Sequence, residues 1–101
     1  GYDQIIHHDF NELNFTDSDT KKKVTGHINI NFVPHRNTLK ISSFVNYLRS
    51  FSEQSLTQAN ITNTIFGACI DALNPKKLEL TTRFEDENGF HNTYKIHYPH
   101  Q

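Results

Sequence analysis

The chain has 101 residues, of which 35% are hydrophobic, and its formal net charge is −1. This length predicts one domain over residues 1–101. The nearly balanced charge argues against a general affinity for nucleic acid or for an anionic membrane surface. A single cysteine excludes an intrachain disulfide. No apolar stretch approaches the roughly 20 residues that cross a bilayer, and no signal peptide is visible, so we expect a cytoplasmic protein.

The N-terminal third predicts a β-hairpin. In Gly26–Val33 every second residue is apolar and the residues between are mainly polar. Successive side chains of a strand point to opposite faces, so this alternation indicates a half-buried strand. The stretch Tyr2–Phe10 predicts a weaker strand. We expect it to pair with Gly26–Val33 across a polar loop at Asn14–Lys23.

The alternation then gives way to a helical period. Apolar residues recur at three- and four-residue spacing over Leu39–Phe51, which predicts a helix with one apolar stripe. Asn37 or Thr38 can cap its start, since both side chains accept hydrogen bonds from free backbone N–H groups.

A second helix is predicted from near Ser55. Ser55 and Gln58 have the spacing of a capping box, and proline ends the helix at Asn74-Pro75. Cys69 lies on the apolar stripe of this helix, where a free cysteine behaves as a small hydrophobic residue. Gly67 in the same helix indicates a close approach to a neighbouring element.

The C-terminal third predicts a second hairpin. Leu78–Phe84 and Phe90–Tyr98 both alternate, and the loop between them contains Asn88-Gly89, a sequence that tolerates positive φ. The element order is therefore ββααββ. It predicts an α+β fold with a four-stranded antiparallel sheet and two helices on one face.

Short sequence motifs in the chain resemble those of a known protein family. The run Tyr47-Leu48-Arg49-Ser50-Phe51 matches Tyr-Leu-x-Ser-Phe, and Asn74–Leu80 matches a Pro-x-x-hydrophobic step into a strand. With Phe15-Thr16 upstream, these motifs resemble the 7-cyano-7-deazaguanine reductases, nitrile reductases of queuosine biosynthesis in the tunnelling-fold superfamily. The resemblance implies a ring- or barrel-shaped homo-oligomer that extends its sheet between subunits and has ligand sites at their interfaces.

The resemblance also implies a chemistry. In that family a cysteine attacks the nitrile and NADPH supplies hydride. The nucleophile is expected a few residues after Phe15-Thr16, where this chain has Asp17, Ser18 and Asp19 and no cysteine. A carboxylate or hydroxyl is a far weaker nucleophile than a thiolate. Asp17 and Asp19 are the remaining catalytic candidates.

A cofactor and a ligand follow from the same resemblance. If catalysis persists, the cofactor is NADPH, with Lys40 and Arg49 as phosphate contacts. Gln58 occupies the position at which tunnelling-fold proteins anchor a purine- or pterin-like ring, with Thr57 and His35 alongside. A glutamine amide offers one donor group and one acceptor to such a ring.

Three hypotheses stay open at this point. The chain is a nitrile reductase or an altered enzyme, a binder of a deazaguanine, purine or pterin, or a non-catalytic structural or partner subunit of a hetero-oligomeric enzyme. Histidines His27, His91 and His97 raise the question of zinc, but close His-x-His or His-x-x-x-His pairs are missing from the sequence. We therefore expect no metal.

Overall fold

The computed structural model describes residues 3–100, and Tyr2, where the first predicted strand begins, lies outside this range. The α+β class is confirmed. The elements are β1 (Ile6–Asp17), β2 (Lys23–Val33), α1 (Ile41–Arg49), β3 (Ser55–Leu56), α2 (Gln58–Leu73), β4 (Lys77–Asp86) and β5 (His91–Tyr98).

The sheet has five strands in the order β3-β1-β2-β4-β5, so the expectation of four antiparallel strands is wrong. The additional strand, β3, pairs in parallel with the end of β1 through Thr16–Ser55 and Asp17–Leu56. Two residues are too few to show an alternating pattern in the sequence. The other neighbouring strands pair antiparallel, as predicted.

Strand β1 extends to Asp17 and β2 begins at Lys23. The predicted loop, Asn14–Lys23, is therefore too long. Phe10 pairs with Ile28 and Leu13 pairs with Gly26, so β1 carries one extra residue between them. Such a β-bulge shifts the phase of the alternation. Beyond it, Phe15 and Asp17 point inward again, and the true turn spans residues 18–22.

Helix α1 is shorter than the predicted Leu39–Phe51. Its N-cap is Lys40, whose side chain makes no capping hydrogen bond. Asn37 instead donates from Nδ2 to the backbone carbonyl of Ala72 at 3.2 Å, which ties the loop before α1 to the end of α2. Neither Asn37 nor Thr38 is the cap, so that prediction is wrong.

Helix α2 begins three residues after the predicted start. Ser55 belongs to β3, and Thr57 is the N-cap, accepting from the backbone N–H of Asn60 at 3.1 Å. The capping-box interpretation of Ser55 is therefore wrong. The end is as predicted, with Asn74 in the left-handed conformation (φ 42°) before proline. Gly67 is exposed and a Cβ there would meet nothing within 4 Å, so it marks no close approach.

One core lies between the helices and the inner face of the sheet, and Gly26 lets it close. A Cβ on Gly26 would lie 2.6 Å from Cδ2 of Leu13 and 3.2 Å from Cε1 of Phe84. Both side chains are fully buried. The missing Cβ thus allows residues from β1 and β4 to pack over β2, as close packing of the interior requires.

Within residues 3–100 the opposite face of the sheet carries no helix, and its side chains are mainly polar. His7, Asp9, Asn29 and Asn31 form a hydrogen-bonded group there, which we name the histidine cluster. Neither helix within residues 3–100 has the length and apolar composition needed to cross a lipid bilayer.

Candidate ligand-binding site

Three polar side chains from different elements meet at the start of α2. Nε2 of Gln58 donates to Oδ2 of Asp17 at 3.0 Å, and Nδ2 of Asn92 donates to Oε1 of Gln58 at 3.1 Å. We name Asp17, Gln58 and Asn92 the amide cluster. In a flat sheet β1 and β5, separated by β2 and β4, would lie about 14 Å apart. The sheet therefore curls around the start of α2 and brings its first and last long strands to one side chain.

Asp17 is the anchor of the amide cluster. Its side chain is 5% exposed and lies at the end of β1, where the hairpin turn begins. Oδ1 accepts from the backbone N–H of Asp19 at 2.9 Å and, more weakly, of Thr20 at 3.4 Å. With Gln58 on Oδ2, the carboxylate is satisfied by donors on both oxygens. This pairing is what a nearly buried charge requires.

A second chain of hydrogen bonds fixes the backbone of Gln58. Thr62 donates from Oγ1 to the carbonyl of Gln58 at 2.9 Å. Thr82 lies 2.8 Å from the same oxygen, and since the hydroxyl proton of Thr62 is already used, Thr82 is the donor. Both threonines are buried. The first turn of α2 is thereby tied to the centre of β4.

Gln58 keeps part of its hydrogen-bonding capacity. A primary amide has two N–H donors and two acceptor lone pairs. One N–H points to Asp17 and one lone pair accepts from Asn92. The half-buried side chain therefore has one donor and one acceptor left for a ligand. Thr57 adjoins it, but its oxygen already caps α2.

The structure does not bring the other predicted ligand residue to Gln58 within one chain. His35 is exposed and follows Val33, at the end of β2 that pairs with Lys77. Asp17 lies beside the opposite end of β2, and an 11-residue strand spans roughly 35 Å. The second catalytic candidate, Asp19, is exposed in the hairpin turn, with its backbone N–H bonded to Asp17.

The two predicted cofactor contacts lie at opposite ends of α1. Lys40 precedes its first residue and Arg49 is its last, so about 13 Å of helix separates them. Both are exposed. Lys40 borders a cleft of about 370 Å³ between the helices, which Tyr47 and Cys69 also line. This cleft does not include Gln58.

Cys69 is placed as the helical pattern predicts. It is 1% exposed and packs in the core. Burial raises the pKa of its thiol to about 12, because an apolar environment disfavours the charged thiolate. At neutral pH this sulfur is a neutral thiol, which is a poor nucleophile.

The histidines do not converge. Among residues 3–100, no group of three His, Cys, Asp or Glu side chains has an arrangement that could hold a metal ion. His27 pairs with Arg83, and Arg83 pairs with Thr93, so Thr93 is the β5 residue level with His27. His91 lies two residues before Thr93 and His97 lies four residues after it. Three ligands of one tetrahedral zinc would have to lie much closer together.

A cleft of about 590 Å³ opens near the end of the sheet at which Asp17 lies. None of the three residues of the amide cluster lines it. Its walls include Glu85, Asp86 and Glu87, with Lys23 opposite. Three carboxylates repel an anionic ligand. Asp86 is also occupied, because Oδ1 accepts from the backbone N–H of Asn88 at 2.9 Å and of Phe90 at 3.0 Å. We therefore place the site at Gln58, where free hydrogen-bonding atoms remain.

Asn92 is the member of the site that sequence analysis did not single out. Its position does carry a signal. It lies in β5 on the same face as Tyr94 and Ile96, and is the one amide on that otherwise apolar or aromatic face. A polar residue in the apolar phase of a strand needs a partner, and here the partner is Gln58.

The fold is a small α+β domain with a hydrogen-bonded amide cluster at the start of α2, and the comparisons with known proteins give its family. The family model described as "QueF-like protein" matches residues 25–101. The chain belongs to this family.

The relatives include NADPH-dependent 7-cyano-7-deazaguanine reductases. The one from Prosthecochloris aestuarii is 32% identical over 73 residues, covering 72% of this chain and 62% of the relative. The one from Chlorobaculum parvum is 29% identical over 73 residues, covering 72% and 63%. The matched region thus spans about three fifths of the length of these relatives.

A solved structure shares the fold. The apo form of the archaeosine synthase QueF-Like superposes with a TM-score of 0.86, covering 100% of this chain and 99% of that one. The sequences are 11% identical, so this likeness concerns the fold. The resemblance to the 7-cyano-7-deazaguanine reductases is confirmed by the family match and the relatives.

Proposed function

We propose that the chain binds a deazaguanine-, purine- or pterin-type ring at Gln58 and performs no cysteine-based nitrile reduction. The observation that carries this proposal is the held amide of Gln58. Asp17 and Asn92 fix it from two strands and leave one donor and one acceptor free. An amide fixed before binding loses little side-chain entropy when a ring binds.

The chemistry of the available groups supports the second half of the proposal. The segment from Asp17 to Lys23 contains no cysteine, and Cys69 is a buried neutral thiol. Asp17 accepts hydrogen bonds on both carboxylate oxygens and is a weak nucleophile towards a nitrile. NADPH, the cofactor of the relatives, is needed only if hydride transfer persists, with Lys40 and Arg49 as its phosphate contacts.

We also propose that the chain assembles with copies of itself. The outer edge of β5 and most of the outer edge of β1 have no partner strand among residues 3–100. Phe90 is 66% and Tyr98 42% exposed at the two ends of β5. Pairing β5 of one copy with β1 of the next would cover both edges.

The open edges support a second candidate function. A different chain could pair with them and supply a cysteine to a shared site, with this chain as the partner subunit of a hetero-oligomeric enzyme. This candidate predicts NADPH oxidation only when both chains are mixed. The leading proposal predicts no NADPH oxidation with 7-cyano-7-deazaguanine by this chain alone. Turnover by this chain alone would contradict it.

The binding half is tested by calorimetric titration with 7-cyano-7-deazaguanine, guanine and a pterin. We expect saturable binding of at least one ring by the wild type. Gln58→Ala should weaken it at least about tenfold, because a site that loses a hydrogen-bonding partner leaves ligand atoms unpaired. The matched control is Gln54→Ala, which removes an exposed glutamine whose side chain donates to the backbone carbonyl of Ser50. Equal affinities of both variants, or no binding by the wild type, would contradict the proposal.

A further inference from the structure

The helix-free face of the sheet has a cleft of about 460 Å³ that shares no residue with the amide cluster. Each of the four long strands contributes to its wall, through residues that include Asn11, His27, Arg83 and Thr93. His27 pairs with Arg83, and Arg83 pairs with Thr93. Directly paired residues lie on the same face of a sheet, so these three side chains stand side by side across three strands.

Arg83 is the charged centre of this row. Its side chain is exposed and takes part in none of the ion pairs found among residues 3–100. Glu85, two residues further along the same face of β4, lies 3.8 Å from Nε2 of His91 instead. Lys95, on the same face of β5, is a second exposed cation outside those ion pairs. The N–H donors of both cations are therefore available to an anion.

His27 is held beside Arg83 with one ring nitrogen still available. Nδ1 lies 2.8 Å from Oδ1 of Asn11, so the neighbouring strand holds the half-buried ring in place. An amide oxygen only accepts, so Nδ1 is the donor and Nε2 of the neutral ring carries a lone pair. Nε2 can accept from an acidic hydroxyl, and in the protonated ring it donates to an oxygen.

The carboxylates around the cleft have other partners or lie further away. Asp9 is in the cleft wall, but its Oδ2 lies 2.9 Å from Nε2 of His7 and its Oδ1 accepts from Asn29. Glu79 lies four residues from Arg83 along β4, about 13 Å of strand. The end of the cleft at Arg83 is therefore positively charged, which favours an anionic ligand.

We infer that Arg83 and His27 form a site for a phosphate group, separate from the ring site at Gln58. A guanidinium binds two phosphate oxygens at once through charge-assisted hydrogen bonds. Nε2 of His27 and the hydroxyl of Thr93 flank Arg83 and can bind the remaining oxygens. The oxygens of a phosphate are nearly equivalent, so such a site needs matched charge more than one fixed orientation.

The phosphate group could belong to free inorganic phosphate or to a phosphate monoester, so the experiment uses both. Calorimetric titrations of the full chain with inorganic phosphate and with ribose 5-phosphate are made at constant ionic strength, which keeps screening equal. The wild type should bind at least one of them saturably, with a dissociation constant of about 1 mM or below. The tighter ligand identifies the source of the group, and either result supports the site.

Substitutions on matched exposed residues place the binding. Arg83→Gln should weaken it at least about tenfold, because the charge-assisted pair is lost. Arg36→Gln removes the same charge from an exposed arginine before α1 and should keep the wild-type affinity. His27→Leu should weaken binding roughly threefold to tenfold, the value of one hydrogen bond. In NMR spectra the ring protons of His27 should shift with phosphate in the wild type.

Three results would overturn the inference. They are no saturable binding by the wild type, an unchanged affinity in Arg83→Gln, and an equal loss in Arg83→Gln and Arg36→Gln, which would mean that only the overall charge matters. The test needs no ring ligand, so its outcome is independent of whether Gln58 binds one.

Discussion

The amide cluster and the histidine cluster are built from the same kinds of side chain on opposite faces of one sheet. Each joins a carboxylate to side-chain amides by hydrogen bonds. They differ in exposure. Asp17 is 5% exposed under the start of α2, whereas more than half of the Asp9 side chain is exposed. Water can replace any partner of Asp9, but not every partner of Asp17.

Burial, more than residue type, decides whether a polar group in these two clusters has a fixed geometry. A nearly buried carboxylate must keep its protein donors, since losing them leaves an unpaired charge in a medium of low dielectric constant. An exposed one exchanges them for water at little cost. A ligand site needs fixed donors and acceptors, so it is expected at the amide cluster.

The largest difference should come from removing each carboxylate. Asp17→Ala leaves Nε2 of Gln58 and the N–H of Asp19 without their acceptor, so we expect a loss of about 2–3 kcal/mol in the free energy of unfolding. Asp9→Ala should leave the urea midpoint almost unchanged. Chemical denaturation of both variants checks this. An equal loss in both would mean that the two clusters do not differ.

The next effect concerns the packing of β1 and β4 side chains over Gly26 in β2. Gly26→Ala places a Cβ against Leu13 and Phe84, so overpacking should cost about 1–3 kcal/mol. Gly67→Ala is the matched control. It meets nothing within 4 Å in an exposed part of α2 and should stabilise by up to about 1 kcal/mol. Thermal unfolding should shift in opposite directions, and a shift in the same direction would contradict the packing described.

A smaller effect is expected at the threonines below the amide cluster. Thr82→Val removes the donor to Thr62 and should cost about 1 kcal/mol. Because the two hydroxyls share one hydrogen bond, Thr62→Val and Thr82→Val together should cost less than the sum of the single losses. Thr81→Val, on the helix-free face, is the control and should stay within about 0.5 kcal/mol of the wild type. Additive losses in the denaturation curves would argue against the shared bond.

The smallest effect is a pH dependence in the histidine cluster. Two hydrogen bonds raise the pKa of His7 above its ordinary 6.5. The bond to Asn31 contributes most and the bond to Asp9 contributes next. Both ring nitrogens face acceptors, which favours the protonated form. The resulting stability is full below about pH 6.5 and is lost as pH rises through the folded-state pKa. NMR titration should show the raised pKa of His7 and its fall in Asp9→Asn; equal values would contradict it.

The sequence predicts the regular parts of this fold well. The alternation in Gly26–Val33 and Leu78–Phe84 places the correct side chains inward, and the helical stripe places Cys69 in the core. The continuation of β1 is missed because a bulge between Phe10 and Leu13 breaks the period of two. Strand β3 is missed because it has two residues.

The candidate site is only partly predictable. Gln58 is singled out through its position in a family pattern and Asp17 as a catalytic candidate, but the sequence gives no sign of the hydrogen bond that joins the two side chains. Asn92 lies 34 residues from Gln58, and their contact depends on the curl of the whole sheet. Local patterns carry little information on such contacts, because they record the face of a strand and not the distance between strands.

The most direct test of the central claim is a crystal structure of the protein with 7-cyano-7-deazaguanine. We predict the ring against Gln58, hydrogen-bonded to the free donor and acceptor of the amide, its nitrile intact, and Asp17 and Asn92 still hydrogen-bonded to Gln58. A ring bound elsewhere, or a nitrile carbon bonded covalently to Cys69, would contradict the account.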